Sequence, residues 1–460
     1  MTDTILIVGA GVAGLHAALE VASGGANAIV VERGPVIGGK LAATMTSDTA
    51  IGDRAEGEHV PLFKALEENA NIEIFTSATL DEMDGGPGNF SVSIRERARF
   101  VTDACTRCKL CHAVCPVVMP NEYDAGLTFR KAIFTPMSET LPDAWVINID
   151  DCLNKPPNYL PCDRCIEVCD DNAIFFDQAL ETAHQRHVGA VVLAPGFQID
   201  DSADFTEFGY GTHADIVTSR EMQRLLESPG PTGGYATKPS NEEYPESVLL
   251  VLDSLSQFGL YIVASQVHQL LEQDVEKVAV LVLSQPGQGD ALEEANTLAT
   301  ATGVQVNWGT TFRASPGDDN MLKVSYEDFV AKHLEEGVFD MIVLCSDVAP
   351  AEGLPALAGI AGVEIRDDGY LANSGANGTD VATSSPGVFI AGCASGAKNI
   401  KDSTADAQAA AAAALNQLDP RMLQSEATDS ADQPRTGLPE HVSPDDMRGQ
   451  IEKLLYALIN

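Results

Sequence analysis

The chain has 460 residues, 45% of them hydrophobic, with 28 basic against 67 acidic side chains for a formal net charge of -39. That length supports two or three domains, each with its own core. The acid excess repels nucleic acid and anionic lipid alike, which excludes both as direct partners, and it suits a salt-rich cytoplasm where screening acts over a few ångströms. No run reaches the roughly 18–20 apolar residues of a membrane span, and Met1 leads almost directly into apolar residues 5–8 without a leader-like stretch. A cytoplasmic protein is expected. Eight of the ten cysteines fall between Cys105 and Cys169. A secreted disulfide framework would scatter them, so the clustering points to metal in a reducing compartment.

Residues 5–8 (Ile-Leu-Ile-Val) predict a buried parallel strand, Gly9-Ala10-Gly11-Val12-Ala13-Gly14 a tight turn, and the stretch to Val21 a helix. A second strand over 28–31 ends at Glu32, 18 positions after Gly14. This is the dinucleotide-binding βαβ unit. Gly9 makes the turn, Gly11 admits a pyrophosphate, Gly14 lets the helix pack on the strand, and the helix start faces the anion. The following Arg33-Gly34-Pro35-Val36-Ile37-Gly38-Gly39-Lys40 resembles the loop that FAD proteins of this architecture place after the ribose-binding glutamate, which favours FAD over NAD. Gly9, Gly11, Val12, Ala13, Gly14, Glu32, Arg33, Gly39 and Lys40 are therefore candidate FAD contacts.

Next comes an insertion, expected over 101–177. Cys105, Cys108, Cys111 and Cys115, followed by Pro116, match the bacterial ferredoxin run C-x2-C-x2-C-x3-C-P. Three close thiolates reach one cubane while the fourth serves a neighbouring cluster, so one motif implies a second. Cys162, Cys165 and Cys169 supply it, with Cys152 placed upstream of a Pro-rich loop over 153–161. Two [4Fe-4S] clusters are expected, one on Cys105, Cys108, Cys111 and Cys169, the other on Cys115, Cys152, Cys162 and Cys165. The alternative for the second is a three-cysteine or substituted site. Zinc is the rival metal, but zinc ribbons seldom require a third cysteine at x2 and a fourth at x3 before Pro.

Further along, Ala190-Val191-Val192-Leu193-Ala194-Pro195-Gly196 is an apolar strand with a tight turn, similar to an element of glutathione-reductase-type flavoproteins. Gly387-Val388-Phe389-Ile390-Ala391-Gly392-Cys393-Ala394 is another, followed by an Ala-rich helix over 405–415. In that superfamily the closing strand and helix bring backbone N–H groups to the ribityl phosphate and flavin. The resemblance adds Ala194, Gly196, Gly392 and Cys393 to the FAD contacts and implies a discontinuous FAD domain over 1–100, 178–244 and 351–418. Lys398, in the Gly-rich turn, is a candidate cation for stabilising reduced flavin, with a solvated lysine as the alternative.

Residues 245–350 alternate apolar strands and helical segments, as a second doubly wound unit would. Its first turn, Asp253-Ser254-Leu255-Ser256-Gln257-Phe258-Gly259, has one glycine where a pyrophosphate site needs two or three, so scaffold or docking surface is preferred to NAD(P)H binding. Cys345 reads as a packing residue. A polar linker and a helix over 444–460 complete the segment 419–460.

Taken with Cys115-Pro116, Pro120-Asn121-Glu122-Tyr123, Arg130-Lys131-Ala132-Ile133, Phe208-Gly209-Tyr210-Gly211 and Gly392-Cys393-Ala394-Ser395-Gly396-Ala397-Lys398, residues 1–418 resemble the iron–sulfur flavoprotein of heterodisulfide reductase, its A subunit, and the flavin subunits of quinone-interacting redox complexes. The resemblance implies a glutathione-reductase-like α/β FAD fold with an inserted two-cluster ferredoxin domain and a degenerate second nucleotide-binding-like domain. It implies an electron-transfer subunit that relays electrons between FAD and two [4Fe-4S] clusters to partner redox subunits. It also admits a homodimer and a position at the inner membrane face through those partners. The chain departs from the family in having no cysteine at 41–60, none at 249–255, and no appended cluster domain, and so reads as a reduced, non-bifurcating member. The rival reading is an NAD(P)H-dependent input subunit resembling the small subunit of glutamate synthase.

Overall fold

The strand Thr4–Val8 lies at the centre of a five-stranded parallel sheet ordered Val388–Ile390, Ala190–Leu193, Thr4–Val8, Asn27–Val31, Ile72–Phe75. The structure, a computed structural model, describes residues 2–40, 59–136, 141–155, 161–199, 205–227, 230–252, 257–285, 296, 298–300, 302–374 and 380–418. The expected terminal helix and linker over 419–460, the turn at 253–256 and most of the Pro-rich loop lie outside the described residues. Parallel strands are covered on both faces, which is why their sequences are unbroken apolar runs. Ile5, Leu6 and Ile7 are each 0% exposed. Helices Val12–Ser23 and Ile400–Leu415 pack on this sheet and on each other through alanine-rich faces.

A three-stranded antiparallel sheet of Ala78–Gly86, Asn89–Arg97 and Glu181–Val188 leads into the cysteine-bearing insertion. The chain leaves at Arg97 and returns at Glu181, and these two residues pair across the ladder, so the insertion has a closed base. Its interior is small: Phe100, Val101, Ile133, Phe134, Trp145, Val146, Ile147 and Ile174 form one buried cluster with the cysteines at its margin.

The second sheet has seven strands. Ile216–Thr218, Met341–Cys345, Ser247–Leu252, Lys277–Val282 and Val306–Pro316 run parallel, followed by antiparallel Leu322–Asp328 and Leu334–Phe339. Two features differ from the sequence expectation. Residues 216–226, grouped above with the FAD domain, join this sheet, because Ile216–Thr218 pairs with Met341–Cys345 and helix Ser219–Leu226 buries Met222, Leu225 and Leu226 in the same core as Val248 and Leu250. Residues 306–339 form a β-meander where strand–helix alternation was expected.

The insertion is fastened on two sides. The half-buried guanidinium of Arg99 donates to the carbonyl of Pro35, to Thr76 Oγ1 at 3.1 Å and to the carbonyl of Ala144 at 3.1 Å, while Ile37 N–H donates to Leu141 O at 3.0 Å. These bonds tie the insertion to the loop that follows Glu32. On the other side Arg224 bonds Asp124 Oδ1 at 2.9 Å and pairs with buried Glu227, and Arg220 donates to the carbonyl of Glu122 at 2.8 Å. The insertion thus bridges the two sheets.

Arg99→Ala removes a half-buried fork serving three acceptors, and an acceptor left unpaired away from water costs about 1–3 kcal/mol; a loss of about 1–3 kcal/mol in urea denaturation is expected. Glu227 supplies a pH test. Burial, opposed by Arg224, pushes its carboxyl up to about 8. Its folded pKa therefore lies above its unfolded one, and the unfolded chain binds fewer protons between the two values. Stability contributed by this group falls as pH rises through that window, and Glu227→Gln should flatten the slope measured by denaturation at pH 5, 6.5 and 8.

Candidate functional site

The three glycines of the first turn have distinct surroundings. Gly9 has φ +104° and a Cβ there would sit 2.1 Å from the carbonyl oxygen of Ala194; at Gly14 a Cβ would lie 1.8 Å from the oxygen of Gly9. Both are close backbone approaches that only glycine allows. At Gly11 a Cβ would meet nothing within 4 Å. Room for an anion therefore lies at Gly11, beside the start of helix Val12–Ser23, where the amides of Val12, Ala13 and Gly14 have no intrahelical acceptor.

The other candidate FAD residues gather around this turn. Glu32 accepts from Ala10 N–H at 2.8 Å and Gly34 N–H at 2.7 Å, which holds its carboxylate over the turn. Gly39 abuts Gly11, and Gly392 abuts Ala13. Gly196 has φ +74° in the turn after the strand that carries Leu193, and Ala194 N–H donates to Val8 O at 2.8 Å. Arg33 reaches across to the carbonyl of Glu352 at 2.9 Å, and Lys40 lies 5.4 Å from the ring centroid of Phe197. Segments separated by hundreds of residues thereby surround one cradle of backbone amides and a carboxylate, which fits a dinucleotide.

Cys393 is buried, donates its thiol to Lys398 O at 3.4 Å, and has its pKa raised by burial. Lys398 Nζ contacts Ser395 Oγ at 3.3 Å and pairs with Asp406 of the closing helix. Its charge is thus matched within this turn. Cys345 is buried, its thiol pushed up by burial to about 12.

In the insertion, Cys105, Cys108, Cys111 and Cys169 line one cavity with Val101, Trp145, Val168 and Ile174. Burial pushes the Cys111 thiol up to about 11, with Cys105, Cys108 and Cys169 adding to the rise. Of the other four, Cys152 neighbours Cys115, Cys162 and Cys165. The Cys165 thiol is pushed up to about 12 by burial, with contributions from Cys152, Cys111 and Cys162, while Cys152 rises through burial with Cys115 and Cys162 among its neighbours. Cys111 stands between the groups. Protonated in the metal-free chain, the thiols of Cys111, Cys152 and Cys165 would release protons on binding metal. Among the described residues no three His, Cys, Asp or Glu side chains converge as a single ion requires. A cubane, being a larger body, spaces its four thiolates more widely, and the donor set fits it. Arg130, 6% exposed, pairs with Glu122 and Asp151 and fixes the chain just before Cys152.

The sequence reading missed Arg99, Trp145 and Glu352. Arg99 ends a run that alternates like an exposed strand, and Trp145 lies in no motif.

Residues 4–58 match the FAD binding domain family, and the chain carries an α/β FAD-binding fold. It is 31% identical over 428 residues to the iron-sulfur A subunit of the CoB–CoM heterodisulfide reductase of Methanocaldococcus jannaschii, covering 89% of this chain and 63% of that one. It is also 31% identical over 428 residues to the A subunit of the H2:CoB-CoM heterodisulfide,ferredoxin reductase of Methanothermobacter marburgensis, covering 90% and 63%. A protein of Archaeoglobus profundus, described as like the heterodisulfide reductase A subunit, is 28% identical over 480 residues, covering 93% and 68%. The chain is therefore similar to the A subunits of heterodisulfide reductases through about nine-tenths of its length, and it spans 63% of the length of the first two relatives. Among the described residues no helix is long and apolar enough to cross a membrane.

Two substitutions separate the roles of the glycines. Gly11→Leu should leave the stability of the flavin-free chain within about 1 kcal/mol while the protein purifies without yellow colour. Gly14→Ala should instead lower stability by about 1–3 kcal/mol, because its methyl meets backbone. Flavin absorbance and thermal melts of the stripped proteins check both.

Proposed function

We propose that this chain is an oxidoreductase that serves as an electron-transfer subunit, in which FAD and two [4Fe-4S] clusters connect to partner redox subunits of a heterodisulfide-reductase-like complex. The observation that carries the reading is that Cys105, Cys108, Cys111 and Cys169 line one cavity while Cys152 has Cys115, Cys162 and Cys165 as neighbours, in an insertion bonded directly to the FAD-contact loop. FAD supplies exchange of electrons in pairs, and iron–sulfur clusters supply their passage one at a time.

The chain's own part is placement and insulation. Cys105, Cys108, Cys111 and Cys169 would hold one cluster, and Cys115, Cys152, Cys162 and Cys165 the other. Val101, Val168 and Ile174 line the inner side of the first group, whose Cys111 is buried and whose Cys108 is exposed, and burial of this kind bears on cluster potential. Gly11 and the start of the helix would receive the pyrophosphate, and Glu32 the ribose. Arg99 holds Pro35 and Ala144 at fixed separation, so the cofactor loop and the cysteine insertion keep one relative position. No general acid or nucleophile is required of this chain. Lys398, paired to Asp406, would act on the flavin only as part of that ion pair.

Anaerobic purification followed by iron, sulfide and flavin analysis tests this. About eight irons and one FAD per chain are expected, with bleaching by dithionite and none by NADH or NADPH. Cys152→Ser should leave about four irons. Rapid bleaching by a pyridine nucleotide would overturn the relay in favour of an NAD(P)H-input enzyme, and a wild-type chain with about four irons would remove the second cluster.

A further inference from the structure

Trp145 is 5% exposed, in the core of the insertion, and lines the cavity formed by Cys105, Cys108, Cys111 and Cys169. Its indole Nε1–H is buried and has no hydrogen-bond partner among the described residues. Tryptophan carries one donor and no acceptor, and a buried donor left unpaired bears its full desolvation cost; an acceptor inside the cavity that Trp145 lines would relieve it. The ring is held in place by His112, whose ring centroid lies 5.3 Å away at a 40° tilt. Other donors in the same wall already point at sulfur: Arg107 N–H lies 3.4 Å from Cys105 Sγ, and Ala173 N–H lies 3.4 Å from Cys169 Sγ.

We propose that the indole N–H of Trp145 donates a hydrogen bond to a sulfur of the cluster held by Cys105, Cys108, Cys111 and Cys169, and thereby raises the reduction potential of that cluster. The inference rests on the cluster reading above. Reduction adds negative charge that is delocalised onto the sulfurs, and a donor fixed against them stabilises the reduced state more than the oxidised one. Trp145 acts as a positioning and tuning residue. It makes this cluster a better resting place for an electron than its cysteines alone would, and so biases the distribution of an electron between the two clusters.

The test uses the full chain, purified anaerobically as wild type, Trp145→Phe and Trp308→Phe. Trp308 is the other of the two tryptophans and lies buried in the core of the second sheet, away from the cysteines. Iron is quantified first, then each protein is titrated with EPR detection of the reduced clusters. With Trp145→Phe one cluster should move to more negative potential and the other stay, while Trp308→Phe moves neither. Indole-15N-labelled wild type, and labelled Trp308→Phe, should both show 15N coupling to a reduced cluster in pulsed EPR, which reads the contact even if Trp145→Phe loses iron. Full iron with unchanged potentials in Trp145→Phe, equal shifts of both clusters, or no 15N coupling in the wild type would overturn the proposal. A wild-type chain purified without iron would instead overturn the cluster reading beneath it.

Discussion

The bonds of Arg99 are the constraint on which the rest of the arrangement depends. A guanidinium is a planar fork of donors that stays charged, so burying it requires several acceptors held at set angles. Burial lowers its pKa, and the nearby carboxylates of Asp103 and Glu96 oppose that shift. The acceptors come from three places: the loop after Glu32, the strand end at Thr76, and the insertion at Ala144. The loop cannot move relative to the insertion without breaking the bonds of a half-buried charge. A cofactor cradle made mostly of backbone atoms thereby acquires a fixed relation to a group of cysteines distant in sequence.

The same economy of cations recurs elsewhere. With 28 basic side chains among 67 acidic ones, arginines appear at the joints: Arg99 toward the FAD loop, Arg130 within the insertion, Arg224 toward the second sheet. Each meets carboxylates or carbonyls away from bulk water, where salt screens least. Exposed carboxylates carry the excess charge, and their mutual repulsion does fall with salt. The internal joints and the surface charge thus respond differently to ionic strength.

What the sequence disclosed was local. The turn from Gly9 to Gly14, the carboxylate at Glu32 and the cysteine intervals are short-range patterns whose chemistry depends on spacing alone; in the described structure Glu32 accepts from Ala10 of that turn, and Cys105, Cys108, Cys111 and Cys169 line one cavity. Cys152 could be grouped with Cys162 and Cys165 although most of the intervening loop lies outside the described residues. What stayed hidden was long-range. Ile216–Thr218 is three residues long and has no pattern announcing that its neighbour is Met341–Cys345. The meander over 306–339 contains Gly309, Gly317 and Gly337, so its apolar alternation is interrupted where a periodicity argument needs it whole. Arg99 and Trp145 carry meaning only through atoms brought to them by folding: three acceptors in one case, four thiols in the other.

The order of segments in the five-stranded sheet has a temporal side. Its strands come from the first 75 residues, from Ala190–Leu193 and from Val388–Ile390, so the sheet that builds the flavin cradle stays incomplete until residue 390 has been synthesised. The cysteine insertion and the two strands that close its base are finished by residue 188. At about 5–20 residues per second, roughly ten to forty seconds separate the emergence of that closed insertion from the arrival of the last parallel strand. During synthesis the cysteine-bearing part of the molecule is therefore a finished object on an unfinished one, and that order of completion is written into the connectivity of the chain.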